Sequence, residues 1–262
     1  MSSEDFFLNE KETKKIDFKF QKIFNQTGLD RKTLDEVFDR STLLSIEKLI
    51  SDRLIDYIDF PISSGKEGNI FLAITPKKKP VVLKIYRIST STFKHMNDYI
   101  IGDPRFQSNH KSHRDIIYTW TSKEYKNLLK LESIGILAPK PIKKINNVLV
   151  MEFIGKDRQA APMLKDVQLN NPKTIFKQVI TSIRKMYQNA NLVHCDLSQF
   201  NILIHQNKPY IIDLGQGILK DHPMSETYLK RDIHSIVTYF RKYNINENEN
   251  IIYDKIKKKK EG

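Results

Sequence analysis

One segment constrains this chain more than any other: VHCDLSQFNILI, residues 193–204. It sets His194, Asp196 and Asn201 between two apolar stretches, with Asp196 and Asn201 five residues apart. A further apolar stretch, YIIDLG (210–215), follows soon after and ends on Asp213, a leucine and a glycine. A loop of this length can return both polar side chains to one cavity. The twelve residues from Asn201 to Asp213 are enough for a hairpin. Carboxylates and a carboxamide at strand ends can be turn formers. They can also form a metal and phosphate site, because Mg takes hard oxygen ligands.

The rest of the chain bounds the answer more loosely. Its 262 residues suit one large or two modest domains with a sizeable core. A net charge of +13 points to an anionic partner such as RNA, nucleotide or an acidic surface, although a Lys-rich solvated surface gives the same count. The single Cys195 excludes an internal disulfide and a Cys-based zinc site. No stretch has the length of a membrane span, and the opening MSSEDFFLNEKETKK has no signal-peptide core. The expectation is an intracellular, cytoplasmic, soluble protein.

Along the chain, residues 9–57 are polar and helical in character. Leu34, Val37, Phe38, Leu44, Leu49 and Ile50 stand at helical spacings. IDFPISSGKEGNIFLAI then reads as strand, Gly-bearing turn and strand, and PVVLKIYRI (80–88) as a β-branched strand after the hairpin loop PKKKP. Residues 89–118 read as a polar, irregular insertion. WTSKEYKNLLKLESIG reads as an amphipathic helix closed by Gly135. NNVLVMEFIG reads as a turn and a buried strand, PKTIFKQVITSIRKMYQNA as a helix with Pro172 near its start, and SETYLKRDIHSIVTYFRKY as the final helix. The tail KIKKKKEG reads as frayed. The expected fold is α+β and two-lobed, with a small antiparallel sheet, a mainly helical second lobe and a nucleotide-sized cleft between them. The boundaries are an N-terminal helical extension over 1–57, a small lobe over 58–154 carrying the insertion 89–118, and a large lobe with a basic tail over 155–262.

H-x-D-x-x-x-x-N, an apolar strand and D-x-G, in that order, form the catalytic-loop and metal-loop pattern of protein kinases. In that pattern Asp196 stands near the attacking hydroxyl, while Asn201 and Asp213 suit a Mg ion. Lys84 lies in a strand after a Gly-bearing turn, where a kinase places its phosphate-binding lysine; alone it could be one residue of an exposed face. The turn SSGKEGN lacks G-x-G-x-x-G, but Ser63 and Ser64 offer hydroxyls to phosphate oxygens. Glu124 is the best candidate for the ion-pair partner of Lys84, against the alternative of a solvated Glu beside Lys123. In VLVMEFIG, the Glu152 carbonyl and the Ile154 amide would face the adenine, with Met151 behind it. Cys195 stands where many kinases have Arg, and only eight residues separate Gly215 from the MSETYLKRDI region. That leaves no room for a regulatory activation loop. Asp232 can brace the catalytic-loop backbone or lie on the surface.

SSGKEGNIF, VLKIYRISTSTFKHMNDYIIGDPRF, WTSKEYKNL, APKP, VLVMEFIG, LVHCDLSQFNILI, IIDLGQG and HPMSETYLKRDI run in order over roughly residues 60–240. In these pieces the sequence resembles the RIO family of atypical serine/threonine protein kinases. The YRISTSTF…GDPRF insertion points to its first subfamily. The short tail points to an archaeal-like member. The family's STGKE is SSGKE here. Residues 1–55 show no recognisable winged-helix domain of the second subfamily.

The resemblance implies ATP and Mg as cofactors, with Ser63, Ser64, Lys84, Glu124, Met151, Glu152 and Ile154 at the nucleotide, Asn201 and Asp213 at the metal, and Asp196 and Asp213 catalytic. It implies autophosphorylation and a part in maturing the small ribosomal subunit, with ribosomal RNA and proteins of the precursor as partners. It also implies ATPase activity with Asp213 transiently phosphorylated. The insertion, rich in Ser and Thr, would carry autophosphorylation sites near Ser108. A small-molecule phosphotransferase and a non-catalytic RNA scaffold are the competing readings.

Overall fold

The β-branched and apolar runs between residues 57 and 86 form three strands because each is bounded by residues that turn the chain. In the computed structural model, which describes residues 38–65, 67–88, 93–106 and 112–258, they are β1 (Tyr57–Ser64), β2 (Gly68–Ile74) and β3 (Pro80–Tyr86). The β2–β3 turn places Lys78 at φ 59° and closes with Thr75 N–H donating to Lys79 C=O at 2.9 Å. Pro61 is tolerated because β1 is an edge strand. β4 (Pro141–Ile145) and β5 (Val148–Glu152) complete an antiparallel sheet in the order β1-β2-β3-β5-β4. Asn146 at φ 49° makes their turn, as the Asn pair suggested.

The helix α1 (Arg40–Ser51) covers one face of this sheet. Asp39 caps it, accepting from Thr42 N–H at 2.8 Å. Ile46 and Leu49 pack with Phe71, Val81, Leu83, Ile85, Val148 and Val150 in a small core. Phe38 joins that core from before the helix, while Leu44 is exposed, contrary to its place in the expected apolar stripe. Leu34 and Val37 lie outside the described residues.

The insertion is not irregular throughout. It contains α2 (Phe93–Ile100) and a short 3-10 turn (Pro104–Phe106). Met96, Tyr99, Ile100 and Phe106 enter the larger core, which gives this polar-looking segment its anchor. The next helix, α3 (His113–Ser133), starts inside the stretch read as insertion, because Ser112 and Asp115 form a reciprocal capping box. Gly135, at φ 68°, follows its C-cap as expected.

Beyond the sheet come β6 (Gly155–Lys156), β7 (Gln159–Ala160), α4 (Pro172–Asn189), β8 (Leu192–Val193), β9 (Ile202–His205), β10 (Lys208–Ile211), β11 (Ile218–Leu219) and α5 (Ser225–Phe240). Gln206 and Asn207, both at positive φ, turn β9 back onto β10. The helix α5 is not the last. The helix α6 (Glu249–Lys257) follows it, capped by Asn248, and buries Ile252 and Ile256. Gln188 of α4 donates to the Ile256 and Lys258 carbonyls at 2.9 and 2.7 Å. The lysine run therefore begins as the end of a packed helix, and residues 259–262 lie outside the described residues. Among the described residues no helix is long and apolar enough to cross a membrane.

Candidate active site

Strand β3 is buried on both faces, and its period of two sorts the residues. Val81, Leu83 and Ile85 face α1. Val82, Lys84 and Tyr86 form the opposite row, toward α3 and the second lobe. Lys84 Nζ donates to Glu124 Oε1 at 2.9 Å and to Asp213 Oδ1 at 2.9 Å. The Tyr86 hydroxyl donates to the second Glu124 oxygen. Burial works to deprotonate Lys84, but the carboxylates of Asp213 and Glu124 outweigh it and hold the ammonium well above its ordinary value. Partial desolvation works to raise the partly exposed Asp213, yet the Lys84 ammonium more than offsets this and keeps the carboxyl below the usual range. A lysine between two carboxylates is thus fixed in its charged form, at the height where β3 meets the cleft.

The segment between β8 and β9 is held from below by α5. Both oxygens of the buried Asp232 accept backbone amides, from Cys195 and from Leu197, at 2.9 Å each. Arg231 donates to the Cys195 carbonyl. These bonds support Cys195 at φ 72°, a left-handed conformation that a non-glycine residue rarely adopts. His194 Nε2–H donates to Ile212 C=O at 3.0 Å, and its Nδ1 accepts from the Asp196 amide at 3.3 Å. Asn201 Nδ2 donates to the Asp196 backbone carbonyl at 2.7 Å and to its carboxylate at 3.0 Å. Asp196 and Asn201 are therefore in contact, and the side chain of His194 ties their loop to the strand that delivers Asp213. Burial raises the Asp196 carboxyl above its ordinary value.

A cavity of about 530 Å³ lies between the sheet and the β9–β10 hairpin, within the size range of small-molecule sites. Ser63, Lys84, Glu124, Met151, Glu152, Ile154, Asn201 and Asp213 line it, with apolar walls from residues such as Val82 and Leu203. Glu152 N–H donates to Lys140 C=O at 2.8 Å and Ile154 C=O accepts from Ala161 N–H at 2.9 Å. Neither bond uses the Glu152 carbonyl or the Ile154 amide. Ser64 is not among the lining residues. Its exposed hydroxyl donates to Asn69 Oδ1 at 2.6 Å and accepts from Arg87. Asp196 stands outside the cavity wall, beyond Asn201. The cavity thus offers an ammonium, a carboxylate and a carboxamide at one end and an apolar slot at the other. That donor set fits a Mg-bound polyphosphate carried on a flat base. Tyr86 escaped the sequence reading, although its spacing of two from Lys84 was the available signal.

A family model described as the RIO domain matches residues 69–252. The RIO-type serine/threonine-protein kinase Rio1 of Methanocaldococcus jannaschii is 39% identical over 251 residues, covering 94% of this chain and 86% of that protein. The protein of the same description from Haloferax volcanii is 39% identical over 223 residues, covering 85% and 77%. The human serine/threonine-protein kinase RIO1 is 39% identical over 220 residues, and the match covers 82% of this chain but only 39% of that longer protein. The fold is similar to that of the Rio2 kinase from Chaetomium thermophilum, with a TM-score of 0.67 at 23% identity, covering 89% of this chain and 70% of that one. The ADP/Mg2+-phosphoaspartate complex of that kinase matches with a TM-score of 0.66 at 21% identity, covering 86% and 68%.

Proposed function

The chain belongs to the RIO family of serine/threonine kinases, and from that premise we propose that it uses ATP and Mg in maturing the small ribosomal subunit, phosphorylating itself and hydrolysing ATP as it does so. The observation that carries the catalytic part is the bridge from Glu124 through Lys84 to Asp213 at the phosphate end of the cavity. A Mg ion held by Asp213 and the Asn201 side-chain oxygen would neutralise charge on the phosphate oxygens. Lys84 donates to those oxygens while Glu124 and Tyr86 fix its direction. Met151 and the strand end Glu152–Ile154 receive the base. Asp196 accepts the proton of the attacking hydroxyl, and its raised pKa makes it a better proton acceptor than an ordinary carboxylate.

The ATPase branch uses Asp213 directly. A carboxylate oxygen bonds to the γ-phosphorus as the bond to the β–γ bridging oxygen breaks, and ADP leaves with that electron pair. Water then attacks the phosphorus, releasing phosphate and restoring the carboxylate. The phosphoaspartate in the Rio2 complex supports this reading by analogy of fold. The net charge of +13 suits a precursor rich in RNA, and the cytoplasmic setting goes with that partner.

ATP turnover and phosphate incorporation, measured with and without small-subunit precursors, test the proposal. Turnover stimulated by the precursor is the expected result. Turnover stimulated instead by a small hydroxylated acceptor would favour a small-molecule phosphotransferase, and RNA binding without any turnover would favour a scaffold.

A further inference from the structure

The loop that follows Asp213 has no long activation segment to support it, yet it must hold a strained residue. Asp213 has φ 62°. A non-glycine residue in that region costs on the order of 1–3 kcal/mol and persists only where its surroundings over-determine it. The amide of Ile212 donates to the Asn201 carbonyl on the upstream side. Downstream, the support comes from α3.

Trp120, Lys123, Glu124 and Asn127 share one buried face of that helix at the spacing i, i+3, i+4, i+7. Asn127 Nδ2 donates to the Leu214 and Gly217 carbonyls at 2.8 and 2.9 Å. Lys123 Nζ donates to the Gly215 carbonyl at 3.2 Å and to the Gly217 carbonyl. The fit is close: a Cβ on Gly215 would stand 2.9 Å from the Trp120 ring nitrogen, and one on Gly217 would stand 2.9 Å from Asn127 Nδ2. Burial pushes the Lys123 ammonium down to about 7.

The clamp extends into the insertion. Arg105 donates to Asn127 Oδ1 at 2.8 Å, which turns the amide so that its two N–H groups face the loop. Arg105 is itself held by the buried Asp103, at 2.9 Å through Nε and 2.6 Å through an end nitrogen. The Ile101 carbonyl lies 2.9 Å from the ring of His222, and Tyr99 stacks on Tyr228 of α5 at 5.4 Å, so the segment carrying Asp103 and Arg105 is fixed to the large lobe.

We propose that Asn127 and Lys123 are positioning residues for Asp213 and that Arg105, through Asn127, makes the insertion part of the metal-binding apparatus. Glu124 on the same helix face holds Lys84, so one helix sets both the lysine and the carboxylate that it meets. This rests on the reading of Asp213 as the Mg ligand. The clamp acts on where the Asp213 carboxylate stands and touches neither the nucleotide nor the reacting atoms.

The test is ATP affinity, measured by calorimetry in Mg2+ and in EDTA, together with the Mg2+ concentration for half-maximal turnover. Asn127→Leu keeps the side-chain size and removes both donors. It should raise the half-saturating Mg2+ about tenfold while ATP affinity in EDTA stays within about twofold. Arg105→Met should raise it about threefold, and Arg105→Lys should recover part of that loss. A role in general stability alone would move the Mg2+ and EDTA affinities by the same factor, and that result overturns the proposal. So does an unchanged Mg2+ dependence in both variants. If Asn127→Leu does not fold, the two Arg105 variants decide the matter on the same readouts. Asp213→Asn serves as the control. If it too lacks an Mg2+-specific loss, the metal-ligand reading of Asp213 has failed; if it shows one and the clamp variants do not, only the clamp has.

Discussion

Lys84 and Asp213 stand 129 residues apart in the chain and 2.9 Å apart in space. Their contact joins the two lobes. The Asp213 side chain is still 45% exposed, so it can reach a metal, whereas Glu124 is 1% exposed and its two oxygens are taken by Lys84 and Tyr86. The two carboxylates flanking one lysine therefore have different capacities, set by burial.

Asp213→Asn follows from that difference. The amide keeps the shape but loses the charge that a hard cation requires. ATP affinity in Mg2+ should fall by about tenfold or more, and affinity in EDTA should change far less. Calorimetric titrations that shift equally with and without Mg2+ would contradict the assignment.

Asp196→Ala should separate turnover from binding. Asn201 stays anchored in the variant, because it also donates to the Asp196 backbone carbonyl at 2.7 Å. Phosphoryl transfer should drop by about a hundredfold or more, the usual contribution of a general base. ATP affinity should stay within about twofold. Parallel loss of both in single-turnover and binding assays would show that Asp196 holds nucleotide rather than orienting a hydroxyl.

Much of this site was legible because its residues sit at chemistry-bearing positions bounded by turns. Asp196, Asn201 and Asp213 could be read from spacing alone, and Lys84 from its place on a strand after a glycine-bearing turn. What stayed hidden lacked a local signal. Lys123 reads as one more solvated lysine beside Glu124, yet it is fully buried, because its partners are backbone carbonyls more than ninety residues later. Strand β4 was missed because PIKKI is exposed along most of its length and shows no alternation. The helix α2 is short and sits among polar residues, and only packing against the larger core reveals its apolar side. Ser64 has the right residue type and position, but Asn69 and Arg87 compete for its hydroxyl.

Glu124→Ala tests how far the buried triad contributes to stability. The substitution leaves Tyr86 without its acceptor and takes one of two counter-charges from Lys84. Removing one partner of a buried ion pair costs roughly 3 kcal/mol or more. Tyr86→Phe removes a single hydrogen bond and should cost about 1 kcal/mol. Urea unfolding midpoints check both. Equal costs would mean that the tyrosine, rather than the ion pair, dominates.

Acid should weaken catalysis and favour folding at the same residue. Burial raises the Asp232 carboxyl from 3.8 to about 6. Between those values the folded protein binds the extra proton and the unfolded chain does not. This group's contribution to stability therefore rises as pH falls from about 6 toward 4, by up to about 3 kcal/mol, and is constant above 6. Protonation has the opposite effect on the loop. Asp232 accepts amides at both oxygens, and a proton on one of them displaces the Cys195 or the Leu197 bond. Turnover should therefore fall below about pH 6, although the fold gains stability from this group. Asp232→Asn cannot titrate. The stability difference between wild type and this variant, read by urea unfolding from pH 4 to 8, should shift in favour of wild type as the solution is acidified. A difference that stays flat across that range would show that Asp232 stays charged throughout, and the acid loss of turnover would then belong to Asp196.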